Sequence, residues 1–435
     1  MRNHLRTLVC LLSVCCALGQ ANDWRLAEIP AEVIVNPTGT LSKPRPYQGT
    51  PSSVVSKSGK RLFTVWYGNG TDEGLENYLM LAYSDSQLED SPIKLVVRSA
   101  HLGKVRCFDA ALWREPSGRV YLGWTQSTDT YIFDTHLSRW NRRGPYFCIY
   151  TNNPDDPEPT WSAPRKLFDG VMINKPAFLK NGDILYPVAV FQFRGINDEL
   201  SKNEGLWLYR SRDQGKTIEK IMGLFVYAHG LESIILEKKD GTLWYLARVE
   251  PFVRFYNYNR PSTSFIRSGV NTDGIYEAVS KDNGKSFTRL KPSKIPHVGS
   301  RFHISRLQSG NLLLVKNYAN DELWLAGKPK ARDGEGDKDI DKKPRERKRM
   351  IAYISTDDGK TWQGGLELDE RTHVAYPDAS QADNGDIYIT WDFNRYKDAE
   401  ICAAKLTEQD ILAKKIVSKN SIRNTVISRG ADTRK

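Results

Sequence analysis

The chain has 435 residues, and its 63 Lys and Arg against 52 Asp and Glu give a formal net charge of +11. This length exceeds that of a typical domain and indicates several domains or one large repeat architecture. The positive charge favours anionic partners, but no groove-reading motif accompanies it, which argues against nucleic acid. The few cysteines lack Cys-x-x-Cys spacing, which excludes a common zinc arrangement and leaves a large core as the source of stability.

The first 21 residues have the features of a secretory signal peptide. A basic start with Arg2 and Arg6 precedes an apolar run from Leu8 to Leu18, and Ala21 stands at a plausible cleavage position. The run is too short to span a bilayer comfortably, and no later segment is apolar for long enough. We therefore expect a secreted or periplasmic protein of residues 22–435, without a transmembrane segment.

A polar residue followed by glycine and an apolar run recurs six times along the chain. Glycine accepts a positive φ in a tight hairpin turn, and the apolar run resembles the returning strand. The six turns are Ser58-Gly59, Ser117-Gly118, Asn181-Gly182, Asp240-Gly241, Ser309-Gly310 and Asn384-Gly385. This spacing predicts an all-β fold, a six-bladed β-propeller with four-stranded antiparallel blades, in preference to a stacked solenoid.

Three segments that follow these hairpins share the pattern Ser-x-Asp-x-Gly-x-Thr/Ser. They are Ser211–Thr217, Ser280–Phe287 and Ser355–Trp362. The aspartate can accept hydrogen bonds from its own turn, and the glycine takes the left-handed conformation. No bidentate glutamate stands at the spacing that calcium requires, so we expect no metal here.

Two further segments are predicted from local composition. Residues 328–349 are rich in charges of both signs and are expected to form a solvated loop inserted between blade strands. Thr407 to Ala413 carries a capping-type start and an apolar face, which predicts a short helix. Helix content is otherwise expected to be minor.

These Asp-box turns on a six-unit β pattern resemble the sialidase (neuraminidase) superfamily, specifically its bacterial BNR/Asp-box branch. The resemblance covers nearly the whole mature chain. Its segments include Trp66-Tyr-Gly68, Val105–Trp113, Asn174-Lys-Pro176 and Ala375-Tyr-Pro-Asp378. The resemblance implies an exo-α-sialidase that needs no cofactor, and its partner would be a glycan with an acidic terminal sugar.

Cleavage of a sialoside sets particular demands, because the sugar carries a carboxylate on its anomeric carbon. Arginine binds a carboxylate bidentately and cannot lose its charge, whereas a carboxylate nucleophile would be repelled. Members of the family use a tyrosine activated by a glutamate, with a separate acid. The resemblance implies Tyr376 as nucleophile, Glu232 as base and Asp72 as acid, with Glu73 as the alternative acid.

The resemblance also implies a cluster of substrate-binding residues. They are Arg45, Arg248, Arg347, Arg301 and Asp109. Arg45 follows Lys43-Pro44 and departs from the family's Arg-Ile-Pro motif, and Arg349 is the alternative to Arg347 as the third arginine. Asp109 is expected to line the floor of the site or to orient an arginine.

Other polar and aromatic residues are candidates for contact with a sugar. His229, His303 and His373 lie near predicted blade tops and are candidates for contact with substrate. The tryptophans at 66, 113, 124 and 391 are expected in the core more than on a sugar platform.

Two other functions remain open on the same fold, because a propeller is a permissive scaffold. The first is an enzyme that acts on a uronic or deoxy sugar by hydrolysis or elimination. The second is a non-catalytic glycan-binding propeller, for which loss of the Tyr376 and Glu232 pair from the pocket would be the sign.

Overall fold

The computed structural model describes residues 24–89, 92–128, 132–134, 137–139, 144–190, 205–224, 232–249, 274–327 and 346–431. Within these ranges, six antiparallel sheets each contain four consecutive blade strands, and the first sheet carries one more strand on its outer edge. The predicted all-β, six-bladed β-propeller is therefore confirmed. The predicted signal peptide and residues 328–345 of the charged loop lie outside the described residues.

The strands are grouped by blade in chain order. Blade 1 contains β2 (Gln48–Val55), β3 (Leu62–Gly68), β4 (Tyr78–Ser84) and β5 (Ile93–Arg98), with β1 (Glu32–Val35) paired to β5. Blade 2 contains β6 (Arg106–Arg114), β7 (Val120–Ser127), β10 (Pro145–Thr151) and β11 (Arg165–Asp169). Blade 3 contains β12 (Ala177–Phe178), β13 (Ile184–Val190), β14 (Gly205–Ser211) and β15 (Glu219–Leu224).

Blades 4 to 6 follow the same order. Blade 4 contains β16 (Ser233–Glu237), β17 (Leu243–Val249), β18 (Gly274–Ser280) and β19 (Lys291–Pro292). Blade 5 contains β20 (His303–Arg306), β21 (Leu312–Asn317), β22 (Lys348–Ser355) and β23 (Gln363–Thr372). Blade 6 contains β24 (Val374–Gln381), β25 (Ile387–Phe393), β26 (Glu400–Leu406) and β27 (Ile422–Ser428).

The remaining elements are short. A separate hairpin pairs β8 (Ile132–Asp134) with β9 (Leu137–Arg139), and the helices are α1 (Asp321–Leu325) and α2 (Glu408–Ala413). Single 3₁₀ turns span Trp24–Glu28 and Gly39–Ser42. The predicted helix is confirmed as α2, where Thr407 and Asp410 form the capping box that satisfies the first backbone donors. The strand β22 begins at Lys348, so the last two residues of the predicted charged loop are strand.

The six predicted glycine turns connect the first and second strands of their blades. Their glycines all have positive φ, from 78° at Gly59 to 103° at Gly118.

The three Asp boxes connect the third and fourth strands of blades 3, 4 and 5. In the first of them, Asp213 accepts hydrogen bonds from the Thr217 amide at 2.8 Å and the Thr217 hydroxyl at 2.6 Å. These hydrogen bonds lower the pKa of Asp213 to about 2.

Apolar side chains fill the spaces between blades. Six buried clusters lie between successive blades, and the sixth joins blade 6 to blade 1 through residues such as Trp66, Met80, Tyr388 and Ile401. Because every blade packs on two neighbours, the sheets close into a ring around an axis. All three described cysteines, at positions 107, 148 and 402, are buried free thiols, so packing supplies the stability of this part of the chain.

A β-bulge at the start of the innermost strand recurs in blades 1, 2 and 6. The register of pairing shifts at β2, β6 and β24. The residues at the bulges have positive φ, namely Thr50 at 56°, Asp109 at 46° and Tyr376 at 55°. A bulge bends the strand and turns one side chain away from the sheet. These three bulges therefore position side chains near the propeller axis.

Candidate active site

Tyr376 stands at the bulge of β24, the innermost strand of blade 6. Its ring is 4% exposed, and its backbone has a φ of 55°. A bulky residue at positive φ is costly and persists only where the surroundings impose it, which is common at functional sites. Tyr376 is thus held in one conformation, with its hydroxyl directed toward blade 4.

Arg248 and Glu232 meet this hydroxyl from blade 4. Arg248 Nη1 donates to Glu232 Oε1 at 2.8 Å and to the Tyr376 hydroxyl oxygen at 3.0 Å. The backbone amide of Arg248 donates to the Glu232 carbonyl at 3.0 Å, so the hairpin β16–β17 fixes the two side chains side by side. Glu232 is 2% exposed and Arg248 4%. Buried charges need such pairing to be tolerated.

Two further arginines lie against the Tyr376 ring. The Cζ atom of Arg395 is 4.3 Å from the ring centroid, and that of Arg347 is 5.2 Å from it. Arg347 also donates from Nη2 to the Gly299 carbonyl at 3.0 Å. The phenol of Tyr376 is therefore surrounded by the guanidinium groups of Arg248, Arg347 and Arg395, from blades 4, 5 and 6.

Arg395 was missed by the sequence prediction. It donates to Asp392 Oδ2 at 2.9 Å, to Glu73 Oε1 at 3.4 Å and to the Thr50 hydroxyl at 3.2 Å. Although burial alone lowers its pKa, the charge of Asp392 outweighs that effect and raises the pKa of Arg395 well above the ordinary value. Arg395 is a permanent cation at the site.

A glycine in blade 1 makes room for this arginine. A Cβ atom added at Gly49 would lie 3.0 Å from Arg395 Cβ, 3.2 Å from its Nε and 3.2 Å from Asp392 Oδ2. The absence of a side chain at position 49 therefore leaves the space that the Arg395 side chain occupies.

Several predicted residues lie elsewhere. Arg45 donates to the Tyr78 hydroxyl and to the Thr40 carbonyl, so the structure does not bring it to Tyr376. Arg349 donates to Glu367 Oε1 at 2.6 Å. Its φ of 49° and the register shift between Lys348 and Met350 turn it away from Arg347. The structure therefore places Arg347, and not Arg349, beside Tyr376.

The two candidate acids share the loop between β3 and β4 but differ in burial. Asp72 is exposed, and its backbone carbonyl accepts from Asn77 Nδ2 at 2.9 Å. The side chain of Glu73 is 9% exposed and pairs with Arg395 at 3.4 Å. The structure thus brings Glu73 into the cluster and leaves Asp72 at the solvent edge of the same loop.

Arg301 lies under the site and binds backbone atoms. It is fully buried and donates to the carbonyls of Pro377 at 3.0 and 3.1 Å, Pro51 at 2.7 Å and Ile173 at 3.3 Å. These contacts tie blades 1, 3, 5 and 6 together. Arg301 therefore forms the floor beneath Tyr376, and its Cζ lies 5.9 Å from that ring. Asp109 is fully buried at the bulge of blade 2.

A second polar cluster on the innermost strands, which we call the axial hub, consists of Ser52, Lys175, His303 and Asp378. Asp378 Oδ2 accepts from Lys175 Nζ at 2.6 Å and from the Ser52 hydroxyl at 2.6 Å, and Oδ1 lies 3.0 Å from His303 Nδ1. Burial alone raises the pKa of Asp378, but Lys175 and His303 outweigh it, so the pKa lies well below the ordinary value. His303 belongs to this hub.

The two other histidine candidates and the four tryptophans lie as follows. His229 lies outside the described residues, and His373 is exposed beside Arg347, whose carbonyl accepts from the His373 amide at 2.6 Å. The four tryptophans are buried, from 0% exposure at Trp66 to 4% at Trp113, as expected for core residues.

Neither a metal site nor a membrane span is found in the part of the chain that the structure describes. No group of three or more His, Cys, Asp or Glu side chains there could hold a metal ion. No helix among the same residues is both long and apolar enough to cross a bilayer.

A ring of six blades, three of which carry an Asp box, around the cluster of Tyr376, Arg248 and Glu232 defines a sialidase-like propeller. The chain belongs to the BNR repeat-like domain family, whose model matches residues 60–389. No curated protein matches the chain.

Solved structures share this fold at low sequence identity. A protein of unknown function from Dyadobacter fermentans is 16% identical with a TM-score of 0.51, covering 84% of this chain and 94% of its own. The sialidase NanB of Streptococcus pneumoniae is 12% identical with a TM-score of 0.54, covering 88% of this chain and 71% of its own. The Trypanosoma rangeli sialidase, solved as a covalent intermediate with 2,3-difluorosialic acid, is 11% identical with a TM-score of 0.53. The alignment to it covers 84% of this chain, which spans 56% of that sialidase. At these identities the likeness concerns the fold.

Proposed function

We propose that the protein is an exported exo-glycoside hydrolase, and specifically an exo-α-sialidase that releases terminal sialic acid with retention. The observation that carries the proposal is the buried Tyr376 hydroxyl, which shares Arg248 Nη1 with Glu232 while Arg347 and Arg395 flank the ring. The signal-peptide features of residues 1–21 and the net charge of +11 support an extracytoplasmic enzyme with anionic substrates.

The arginines explain why the terminal sugar would be acidic. Three guanidinium groups lie around one phenol, and a sugar carboxylate placed there can accept charge-assisted hydrogen bonds from them. Arg248, Arg347 and Arg395 would hold that carboxylate, and Arg395 takes the place that was predicted for Arg45. A neutral sugar would leave these cations without a counter-charge from the ligand.

Tyr376 is suited to attack a carbon atom that bears a carboxylate, because a neutral phenol approaches the substrate without charge repulsion. Glu232 would accept the phenolic proton as the oxygen attacks the anomeric carbon. Arg248 Nη1, 3.0 Å from that oxygen, stabilises negative charge as it develops there.

The leaving group requires a proton while the bond from its oxygen to the anomeric carbon breaks. Asp72 is the proposed donor. It is exposed to solvent, and the residue that follows it, Glu73, is paired with Arg395, so Asp72 stands next to the cluster. Water then attacks the anomeric carbon of the tyrosyl intermediate, with Asp72 accepting its proton. The phenolate leaves and regains a proton from Glu232. Two displacements at one carbon give net retention.

A uronic-acid enzyme is the second candidate. The observation that favours it is that blade 6, and not blade 1 as predicted, supplies one of the arginines. Because Arg395 fills the space beside Gly49, the proposed carboxylate pocket has a different shape. Such an enzyme would cleave by hydrolysis or elimination.

Chromophore release from a panel of p-nitrophenyl glycosides tests the proposal. We expect the wild type to cleave the α-sialoside, and Tyr376→Phe to lower kcat by roughly a thousandfold or more, because the nucleophilic oxygen is lost. Loss of one buried hydroxyl should change the free energy of unfolding by only about 1 kcal/mol, which circular dichroism melting verifies.

The other outcomes are equally informative. Cleavage of the glucuronide without cleavage of the sialoside would select the uronic-acid enzyme. Binding of sialyllactose without turnover by the wild type would indicate a glycan-binding propeller. Full activity of Tyr376→Phe would exclude Tyr376 as the nucleophile.

A further inference from the structure

Tyr396, which directly follows Arg395, is an exposed aromatic side chain at the edge of the site. It is 60% exposed, whereas the other aromatic side chains whose burial the structure describes are buried or partly buried. Isolated exposed apolar residues are common on protein surfaces. Tyr396 differs from such residues in the groups that surround it.

The Tyr396 ring is supported from behind. Its centroid lies 5.3 Å from that of Tyr47, which is fully buried, and the two ring planes are inclined by 39°. Tyr47 in turn packs against Tyr67, with centroids 6.2 Å apart. This aromatic stack is anchored in blade 1, so Tyr396 bridges blade 6 to blade 1 while part of its surface stays open to solvent.

The turn that carries Tyr396 is closed by its own backbone. The carbonyl of Asn394 accepts from the amides of Lys397 and Ala399, each at 2.9 Å. Asn394 and Ala399 both have left-handed φ values, 46° and 48°. The amide of Gly430 donates to the Asp398 carbonyl at 3.2 Å, which ties the turn to the end of blade 6. Tyr396 is therefore presented by an ordered turn.

The charged groups near Tyr376 also act on the phenol of Tyr396. The pKa of Tyr396 is raised to about 12, first by partial desolvation and next by the charge of Glu73, with Arg395 and Arg347 opposing this. The Arg395 guanidinium, one residue earlier, contacts the Tyr376 ring. One turn thus contributes a buried cation beside Tyr376 and, at the next residue, an exposed aromatic ring.

We propose that Tyr396 forms an outer subsite that binds the sugar ring of the leaving group, the residue to which the terminal sugar is attached. The inference rests on the proposed function. In an exo-acting enzyme the terminal sugar would lie against Tyr376, and the leaving group must extend away from it toward solvent, where Tyr396 is exposed. The C–H faces of a sugar ring are apolar and pack on an aromatic side chain, which loses little conformational entropy on binding.

Two substrates that differ only in their leaving group test this subsite. α-Sialosyl fluoride has a single atom in that position, whereas 3′-sialyllactose has a galactose ring. For Tyr396→Ala we expect kcat/KM on 3′-sialyllactose to fall about tenfold, mainly through KM, with kcat/KM on the fluoride within twofold of wild type. Tyr396→Phe, which keeps the ring, should match wild type on both substrates.

A matched control is Leu412→Ala, which removes a side chain that is 41% exposed on α2. It should leave both reactions unchanged. Equal losses on both substrates, or none on either, in Tyr396→Ala would overturn the subsite and leave the proposed function standing. Cleavage of neither substrate by the wild type would overturn the proposed function and the subsite with it.

Discussion

Gly49 and Arg395 occupy the same corner of the site although they belong to the first and last blades. The space that a side chain at position 49 would need is filled by the Arg395 side chain and by Asp392 Oδ2. Asp392 Oδ2 also accepts from the Thr50 amide at 2.7 Å, so the carboxylate holds the blade 1 backbone and the arginine together. A small residue at 49 and a cation at 395 are therefore coupled.

The substitution Gly49→Ala tests this coupling. Its methyl carbon would lie 3.0 Å from Arg395 Cβ and 3.2 Å from Arg395 Nε, so the arginine side chain must move slightly. We expect KM for an acidic glycoside to rise about tenfold, with a loss of about 1 to 2 kcal/mol in the free energy of unfolding. Steady-state kinetics and chemical denaturation measure the two effects.

The same substitution in an Arg395→Ala background provides the control. If Gly49 acts through Arg395, adding Gly49→Ala to that variant should change KM by less than twofold. Independent and multiplicative effects of the two substitutions would show that Gly49 has another role.

The turns and boxes of the blades form from short stretches of sequence. In the box between β22 and β23, Asp357 Oδ1 accepts from the Thr361 amide at 2.8 Å and Oδ2 accepts from the Thr361 hydroxyl at 2.6 Å. Although burial opposes it, this bonding lowers the pKa of Asp357. The box lies on the outer half of blade 5, away from the innermost strands, and so acts on stability.

We expect Asp357→Ala to lower Tm by about 1 to 3 °C at pH 7 without changing kcat, because a turn loses its internal acceptor. The contribution of Asp357 is present above its unfolded pKa of about 4 and is lost as the pH falls through the lower folded value. The Tm difference between wild type and variant should therefore shrink below pH 4. Asp155→Ala, at an exposed turn residue of blade 2, is the control and should melt like wild type. A change in kcat for Asp357→Ala would contradict the assignment.

The ring closes without a strand exchanged between its ends, since β24 to β27 are consecutive in the chain and form blade 6 alone. Polar contacts across the innermost strands supplement the apolar packing between blades 6 and 1. Asp378 accepts from the Ser53 amide at 2.9 Å, and Lys175 donates to the Leu112 carbonyl at 2.8 Å. Together with His303, the axial hub thus connects five of the six blades.

Asp378→Asn should therefore destabilise the whole propeller. The variant leaves the Lys175 ammonium, whose side chain is 21% exposed, without its carboxylate partner. Breaking a fully buried ion pair costs about 3 to 5 kcal/mol. Because Lys175 keeps some solvent contact, we expect a loss of about 2 to 3 kcal/mol in urea unfolding at pH 7, as a single transition. The double variant Lys175→Met with Asp378→Asn should regain part of the loss, because the unpaired charge is removed. A single variant as stable as wild type would show that the hub does not hold the ring.

Much of the architecture could be predicted because it repeats. Six glycine turns and three Asp boxes are local patterns, and six copies of a marginal signal together indicate a propeller. Tyr376, Glu232 and Arg248 could be predicted as candidates because each lies in a short segment that resembles the family, and Glu232 and Arg248 face each other across a single hairpin.

The number of blades and the turns between their strands could be predicted from the sequence, because these features depend on neighbours close in the chain. Three-dimensional structure was needed to show that Arg395 lies beside Tyr376 and Arg45 does not, that Arg347 and not Arg349 is there, and that Glu73 pairs with Arg395 while Asp72 is exposed. The physical reason is that bulges, positive-φ residues and packing between the first and last blades set the direction of each side chain. Those contacts join residues that are distant in sequence.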